Sequence, residues 1–134
     1  MRDKPTALLV EDDPSQLADY TAKLEESGYL VHRAATAEDA IRLAQSHPID
    51  VILTDNVLPG MTGLRAIAEF AKYSPAPVLV MTSHHSAEVE KDAQLLGARC
   101  CLRKPLDFAL LLRELREAAD AARVRTATLR RRRS

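Results

Sequence analysis

Hydrophobic runs of strand length alternate along the chain with longer stretches in which apolar residues recur at helical spacing. The clearest runs, at 7–10, 51–54 and 78–82, are almost entirely aliphatic, which is typical of strands buried on both faces. With two further runs they predict five strands, at residues 7–10, 29–34, 51–54, 78–82 and 100–103. The other stretches predict five helices, at residues 16–27, 36–47, 64–73, 87–96 and 106 to about 125.

Residues that start or stop helices fall at the boundaries of this pattern. Gly28 and Gly97 follow predicted helices, where a glycine commonly ends the last turn. Asp13 and Thr36 precede predicted helices and are suited to cap their first turns. Strands and helices alternate strictly. The chain therefore predicts a doubly wound α/β fold, (βα)5, with a five-stranded parallel sheet, right-handed crossovers and helices on both faces.

Length and charge indicate one acidic domain with a basic end. The 134 residues suit a single domain, which at this size can bury a core without disulfides. Six of the 19 basic residues lie after residue 122 and all 19 acidic residues lie before it, so residues 1–122 carry a formal charge of −6. We assign 1–122 to the folded domain and 123–134 to a basic tail or the start of a linker, expected as a frayed helix end and a charged coil. The acidic body argues against nucleic-acid binding by the domain itself.

Cysteine usage and hydropathy favour a cytoplasmic protein. Cys100 and Cys101 are adjacent and could pair only in a strained ring, so we expect two reduced thiols that act as small apolar residues. The first apolar run is followed at once by three acidic residues, which does not fit a signal peptide. No run approaches the roughly 18 apolar residues that a membrane span needs.

Reactive side chains follow four of the five predicted strands. Glu11 and Asp12 come after the first strand, Asp55 after the third, Thr82 ends the fourth and Lys104 follows the fifth. In a doubly wound sheet the carboxyl ends of the strands share one edge, and ligands bind where the strand order reverses. We therefore expect these five side chains to lie together.

The residue types suit phosphoryl transfer. Grouped carboxylates stay ionised most readily beside a cation, and an incomplete cage of hard oxygen ligands suits Mg²⁺. Asp55 can then attack a phosphoryl group as a carboxylate nucleophile, while the Lys104 ammonium and the Thr82 hydroxyl bind its oxygens. Each feature alone also fits a helix cap, a strand end or a surface turn. Their order on a strictly alternating fold favours the chemical interpretation.

Four segments carry a family resemblance: LLVEDDP, VILTDNVLPGMTGL, VLVMTS and GARCCLRKPLD. Together, over about residues 6–122, they resemble the response-regulator receiver domains of two-component signalling. The resemblance implies a flavodoxin-like fold and a signalling phosphoacceptor that catalyses only its own phosphorylation and dephosphorylation. The implied partners are a histidine kinase or phosphotransfer protein and a downstream effector or output domain. A homodimer is left open, and contact with nucleic acid is expected only through an output domain outside this sequence.

The resemblance also assigns roles to individual residues. Asp12 would bind Mg²⁺ directly, Glu11 mostly through water, Asp55 through its carboxylate and Val57 through its backbone carbonyl.

On the phosphoryl side, Asp55 would be the phosphoacceptor. Thr82 and Lys104 would bind the phosphoryl group and relay its arrival. The peptide bond between Lys104 and Pro105 would be cis.

One position departs from the family pattern. Receivers usually carry Tyr or Phe three residues before the lysine, and here that residue is Cys101, which cannot act as an aromatic lever. We therefore expect Thr82 and the loop through His84 and His85 to carry the conformational change. The expected switch surface comprises helix 87–96, strand 100–103 and the adjacent face of the final helix.

Two other functions compete with this one. A Mg²⁺-dependent phosphatase with an aspartate nucleophile generally needs a second acid two residues after it, and Val57 occupies that position. A receiver-like binding module that is not phosphorylated is disfavoured by the presence of Asp55, Thr82 and Lys104.

Overall fold

The structure, a computed structural model, describes residues 4–133, except for the side chains of residues 122, 123 and 125–133. It contains a five-stranded sheet, a short hairpin and five helices within that range. The strands are β1 Thr6–Val10, β2 Leu30–Ala34, β3 Val51–Asp55, β4 Val57–Leu58, β5 Met61–Thr62, β6 Val78–Thr82 and β7 Cys100–Arg103. The helices are α1 Pro14–Glu26, α2 Ala37–Ser46, α3 Gly63–Ala71, α4 Ala87–Leu95 and α5 Phe108–Arg133.

The strand order reverses at the centre of the sheet. Five parallel strands lie in the order β2-β1-β3-β6-β7, so the chain builds β2 on one side of β1 and then β3 on the other. In this register Val10 pairs with Thr54, which brings the carboxyl ends of β1 and β3 side by side. The predicted doubly wound α/β fold is confirmed, and its switch point lies between β1 and β3.

Helices cover both faces of the sheet. All residues of β1, β3 and β6 are buried, and alternate residues of each strand point to opposite faces. Helices α2, α3 and α4 pack on the face that contains Leu8 and Ile52, whereas α1 and α5 pack on the face that contains Leu9 and Leu53. The sheet is therefore the middle layer of three, and polar groups reach solvent at its edges and ends.

The predicted helix boundaries are set by the expected residues. The Asp13 carboxylate accepts from the backbone N–H groups of Ser15 and Gln16 at the start of α1. The Thr36 hydroxyl likewise caps α2. Gly28 and Gly97 follow α1 and α4 with φ of 95° and 103°, a region that favours glycine.

Two predicted segments differ from the structure. The loop predicted after β3 contains the hairpin of β4 and β5, because Pro59 and Gly60 (φ 75°) make a tight turn between them. The coil predicted beyond about residue 125 is helical, since α5 continues to Arg133. This stretch contains no glycine or proline, and its four arginines, together with Ala127 and Leu129, favour helix.

Candidate functional site

An open cleft lies at the carboxyl edge of the sheet, above the switch point. Its volume is about 590 Å³, enough for a phosphoryl group and hydrated ions. The residues that line it are Glu11, Asp12, Asp13, Gln16, Tyr20, Asp55, Val57, Ser83, Lys104 and Pro105. The fold thus brings together residues from both ends of the sequence at one edge.

Three carboxylates converge at this cleft. Glu11, Asp12 and Asp55 each offer an oxygen within 4.8 Å of the others. Glu11 is 1% exposed, whereas the neighbouring Asp12 is exposed to solvent. A buried carboxylate beside an open one can anchor a ligand while leaving water access from the other side. The predicted acidic group therefore exists as one cluster.

Backbone groups fix the orientation of the two buried carboxylates. The backbone N–H of Asp13 donates to Glu11 Oε1 at 3.2 Å, and that of Val57 donates to Asp55 Oδ1 at 3.3 Å. In each case the second oxygen stays free for another partner. Val57 lies at the start of β4, so the short hairpin helps to hold the Asp55 carboxylate.

That second oxygen faces Lys104 in both residues. Lys104 Nζ donates to Glu11 Oε2 at 2.7 Å and to Asp55 Oδ2 at 3.3 Å. A third bond of 2.7 Å runs to Gln16 Oε1 on α1. The peptide bond between Lys104 and Pro105 is cis, as predicted.

Burial and charge shift the pKa values of this pair. Burial raises the pKa of Glu11 more than the hydrogen bonds from Lys104 and from the Asp13 backbone lower it. Burial alone lowers the pKa of Lys104, but the hydrogen bond to Glu11 and the charge of Asp55 outweigh it, so the net pKa is raised. Lys104 is therefore charged at neutral pH beside carboxylates that repel one another.

Thr82 lies beside this cleft but is not among its lining residues. Its side chain is fully buried at the end of β6, and its hydroxyl accepts from the backbone N–H of His84 at 3.0 Å. The backbone N–H of Lys104 donates to the Thr82 carbonyl at 2.8 Å, which ties the two residues together. The hydroxyl therefore caps the loop that follows β6, next to Ser83 at the cleft wall.

The two histidines of that loop differ in their surroundings. His84 is exposed. His85 lies between two elements, with Nε2 3.3 Å from a Glu90 carboxylate oxygen on α4 and Nδ1 3.4 Å from an Arg103 guanidinium nitrogen at the end of β7. His85 thus connects three parts of the predicted switch surface.

The cysteines occupy packing positions. Cys101 is buried in the core layer under α2, α3 and α4, and Cys100 is half-buried on β7. Burial raises the pKa of the Cys100 thiol to about 12, and it also raises the pKa of Cys101. Both thiols therefore remain protonated at neutral pH, which favours packing over redox chemistry.

Sequence reasoning missed three residues of the site. Gln16 and Tyr20 on α1 line the cleft, although the sequence predicts only a helix at 16–27 for this segment. Gly63, which follows the predicted third strand, packs against the backbone of Asp55 and Asn56. Nothing in the local pattern marks Gln16, because a glutamine on a helix usually faces solvent.

Comparison with known proteins identifies the family. The family model described as the response regulator receiver domain matches residues 7–116. The chain belongs to this family. Its phosphoacceptor role is consistent with that membership.

Named relatives agree with the assignment. The receiver domain is 33% identical to Protein PilH of Pseudomonas aeruginosa over 111 residues, which cover 81% of this chain and 92% of PilH. It is 34% identical to the transcriptional regulatory protein ZraR of Salmonella typhimurium and 32% identical to KdpE of Mycobacterium tuberculosis, covering 88% and 83% of this chain. It spans only 27% of ZraR and 49% of KdpE.

Solved structures show the same fold. A CheY-like receiver domain protein from Methanospirillum hungatei superposes with a TM-score of 0.86 at 27% identity, over 92% of this chain and 99% of that one. The signal receiver domain of an HD domain-containing protein from Pseudomonas fluorescens gives 0.84 at 26% identity, over 90% and 98%. Within residues 4–133, no helix has the length and apolarity that crossing a membrane requires.

Proposed function

We propose that this receiver domain accepts a phosphoryl group on Asp55 from the phosphohistidine of a histidine kinase or phosphotransfer protein. The observation that carries the proposal is the position of the Asp55 carboxylate. One of its oxygens is held by the Val57 backbone and the other faces the Lys104 ammonium, beside two further carboxylates. Together these contacts present a carboxylate nucleophile in a charged, open cleft.

Asp55, Lys104 and Thr82 have different roles in the transfer. An Asp55 oxygen forms the new bond to phosphorus while the bond from phosphorus to the donor imidazole nitrogen breaks, and the imidazole takes up a proton. Lys104 exchanges its 3.3 Å bond to Asp55 for a bond to a phosphoryl oxygen. The Thr82 hydroxyl oxygen accepts from the His84 backbone N–H, and its own hydrogen donates to a second phosphoryl oxygen.

The acidic cluster fits a magnesium ion. Three carboxylates with oxygens within 4.8 Å of one another, one of them exposed, match the hard, partly hydrated ligand set that Mg²⁺ prefers. Asp12, Asp55, Glu11 through water and the Val57 carbonyl would hold it. When bound, the ion neutralises charge on the phosphoryl oxygens.

Hydrolysis of the acyl phosphate returns the domain to its starting state. The cleft is open to water, and Asp12, which lines it, is exposed to solvent. We infer that the domain catalyses this dephosphorylation itself. In this cycle it is a cytoplasmic signalling module, whose output passes through an effector or an attached output domain.

The signal leaves through the elements attached to Thr82 and Lys104. The backbone bond between these residues joins β6 to the segment after β7, and His85 connects the intervening loop to Glu90 and Arg103. A phosphoryl group shifts the equilibrium only through contacts that differ between the two states. We infer that a partner or a second copy docks on α4, β7 and the adjacent face of α5.

Mass spectrometry with a small phosphodonor tests the assignment. Acetyl phosphate with Mg²⁺ should add about 80 Da to the wild-type protein, the mass of one phosphoryl group. The Asp55→Asn variant should remain unmodified, and an Asp107→Asn variant, altered at an exposed aspartate far along the chain, should react as wild type does. Equal modification of Asp55→Asn at the same site would contradict the proposal.

A phosphatase of the aspartate-nucleophile class is not favoured. Such enzymes need an acid two residues after the nucleophile, and that position is Val57, whose side chain is 59% exposed. Incubation with excess acetyl phosphate distinguishes the two functions, because a phosphatase turns over many equivalents quickly whereas a receiver releases phosphate at the rate of its own dephosphorylation.

A further inference from the structure

The ammonium of Lys104 has no hydrogen left for a new partner. An ammonium group carries three donor hydrogens and no acceptor. In this structure they point to Glu11 Oε2, Gln16 Oε1 and Asp55 Oδ2, at 2.7, 2.7 and 3.3 Å. A phosphoryl oxygen can therefore bind Lys104 only by replacing one of these bonds. The bond to Asp55 is the longest of the three.

Gln16 differs from the other two partners in its role. Asp55 is the proposed phosphoacceptor, and Glu11 belongs to the proposed metal site, so the charge near both changes during the cycle. Gln16 is neutral and takes part in neither reaction. Its bond to Lys104 is therefore the one of the three whose acceptor belongs neither to the proposed phosphoacceptor nor to the proposed metal site.

The amide of Gln16 is fixed by its neighbours. Lys104 can only donate, so the atom that faces it must be the amide oxygen. The hydroxyl of Tyr20 donates to the same Oε1 at 3.2 Å, and the amide nitrogen lies 3.5 Å from Asp13 Oδ2. Two donors on one side and an acceptor on the other leave a single orientation for the side chain.

Tyr20 is itself held firmly in place. Its side chain is buried, and its ring packs against Phe108 of α5 at a centroid distance of 5.8 Å. Lys104 Nζ lies 5.9 Å from the centre of the same ring, within the range of a cation–π contact. Burial raises the pKa of Tyr20, so its hydroxyl stays protonated and can donate. The support for Gln16 thus extends into the core between α1 and α5.

We propose that Gln16 is a positioning residue that keeps the Lys104 ammonium directed at the phosphoryl position of Asp55 throughout the cycle. The inference rests on the proposed function, because it concerns the same lysine. It adds that α1, through Gln16 and Tyr20, holds in place the lysine that binds the phosphoryl group. Without Gln16, the ammonium would have only the carboxylates of Glu11 and Asp55 to bind, and would compete with a metal ion for them.

The first measurement does not depend on phosphorylation. We would measure the ¹³C order parameter of the Lys104 ε-methylene group without Mg²⁺. The chain has only five lysines, so the Lys104 signal has few neighbours in the spectrum. Gln16→Leu should lower this order parameter, and Gln16→Asn, one methylene too short to reach, should lower it also. Gln16→Glu retains an acceptor oxygen and should restore it. Gln45→Leu, at an exposed position of α2, is the matched control and should leave it unchanged.

The second measurement follows the bound state. Titration with beryllofluoride and Mg²⁺ should show affinity about tenfold weaker in Gln16→Leu than in wild type, the size expected for a lost hydrogen bond to a charged group. An order parameter and an affinity equal to wild type in both Gln16→Leu and Gln16→Asn would overturn the inference while leaving the proposed function intact. Loosening of Lys104 in these variants, together with no beryllofluoride binding by wild type, would show that Gln16 orders the ammonium but would refute the proposed function, and with it the phosphoryl role of this order.

Discussion

The α-carbon of Gly63 lies so close to the end of β3 that a side chain there would collide with Asp55. A Cβ placed on Gly63 would stand 2.3 Å from the Asp55 carbonyl oxygen and 2.7 Å from the Asn56 α-carbon. The Gly63 backbone N–H donates to the Asn56 carbonyl at 2.6 Å. This contact presses the start of α3 against the backbone that carries the nucleophile, and it accounts for a glycine at a position without positive φ.

Gly63→Ala should therefore both destabilise the domain and disturb the site. Both colliding atoms belong to the backbone and cannot rotate away, so we expect a loss of about 1–3 kcal/mol in the free energy of unfolding, as for other overpacked sites. Phosphorylation by acetyl phosphate should slow, because the Asp55 carboxylate moves. Urea denaturation and intact-mass kinetics measure the two effects.

A reverse substitution on the same helix provides the control. Ala68→Gly, at an exposed position of α3, removes a methyl group and should cost only the difference in helix propensity, about 1 kcal/mol, without slowing phosphorylation. A Gly63→Ala variant as stable and as reactive as wild type would show that the backbone can yield at this contact.

Removing the Lys104 ammonium should make stability depend on magnesium. Lys104→Met leaves Glu11, which is 1% exposed, without its counter-charge, and loss of one partner of a buried pair costs about 3–5 kcal/mol. The affinity for Mg²⁺ should be equal to that of wild type or higher, because a positive charge is gone. Thermal denaturation at increasing Mg²⁺ should show a larger rise in Tm for the variant than for wild type.

Lys91→Met, at an exposed lysine of α4, is the control for this experiment and should respond to Mg²⁺ as wild type does. A Lys104→Met variant with the stability and magnesium response of wild type would mean that the ammonium does not balance these carboxylates. If phosphorylation-dependent partner binding is unchanged in the variant, Lys104 does not relay phosphorylation to the partner surface.

A histidine pair at the sheet edge should make the domain less stable in mild acid. The rings of His32 on β2 and His47 after α2 stack at a centroid distance of 4.3 Å. Burial, with the charge of His47, lowers the pKa of His32 below 6.5. Below pH 6.5 the unfolded chain therefore binds the proton more readily than the folded one, and the free energy of unfolding falls with pH until the folded pKa is passed.

Urea denaturation at pH 7.5 and pH 5.0 measures this loss. His32→Gln should lose less stability between the two pH values than wild type does, whereas His84→Gln, at an exposed loop position, should lose as much as wild type. The same loss in His32→Gln and in wild type would assign the pH dependence to other groups.

The thiol of Cys100 should be slow to react while the domain is folded. With its pKa raised to about 12 by burial, the thiolate fraction at pH 8 is on the order of one in ten thousand. Alkylation by iodoacetamide, followed by mass spectrometry in a Cys101→Ser background, should accelerate sharply in urea. A native rate equal to the denatured rate would return a redox role to consideration.

Alternation of strands and helices sufficed to predict the sheet and the edge where the site lies. Because parallel strands end on the same edge, Glu11, Asp12, Asp55 and Lys104 could be placed together from sequence alone. The position of Gln16 could not, because a polar residue on a helix has no pattern that distinguishes a solvent-facing position from one above a cleft.

Other differences arose where local sequence signals are weak. The hairpin of β4 and β5 has two residues in each strand, too short for periodicity to detect. The continuation of α5 was missed because a run of arginines was interpreted as solvated coil, although its residues favour helix. The close approach of Gly63 to Asp55 depends on tertiary packing and has no local sequence signal.

The length of α5 turns small rotations into large displacements. Its 26 residues span about 39 Å at 1.5 Å per residue. Leu111 and Leu115 contact the sheet in the first third of the helix, and the helix backbone continues for about 27 Å from Leu115 to Arg133. A tilt of about ten degrees where Leu111 and Leu115 contact the sheet would carry the Arg133 backbone through roughly 5 Å. A small change in the packing of the helix against the sheet would thus produce a measurable displacement at the far end of the helix.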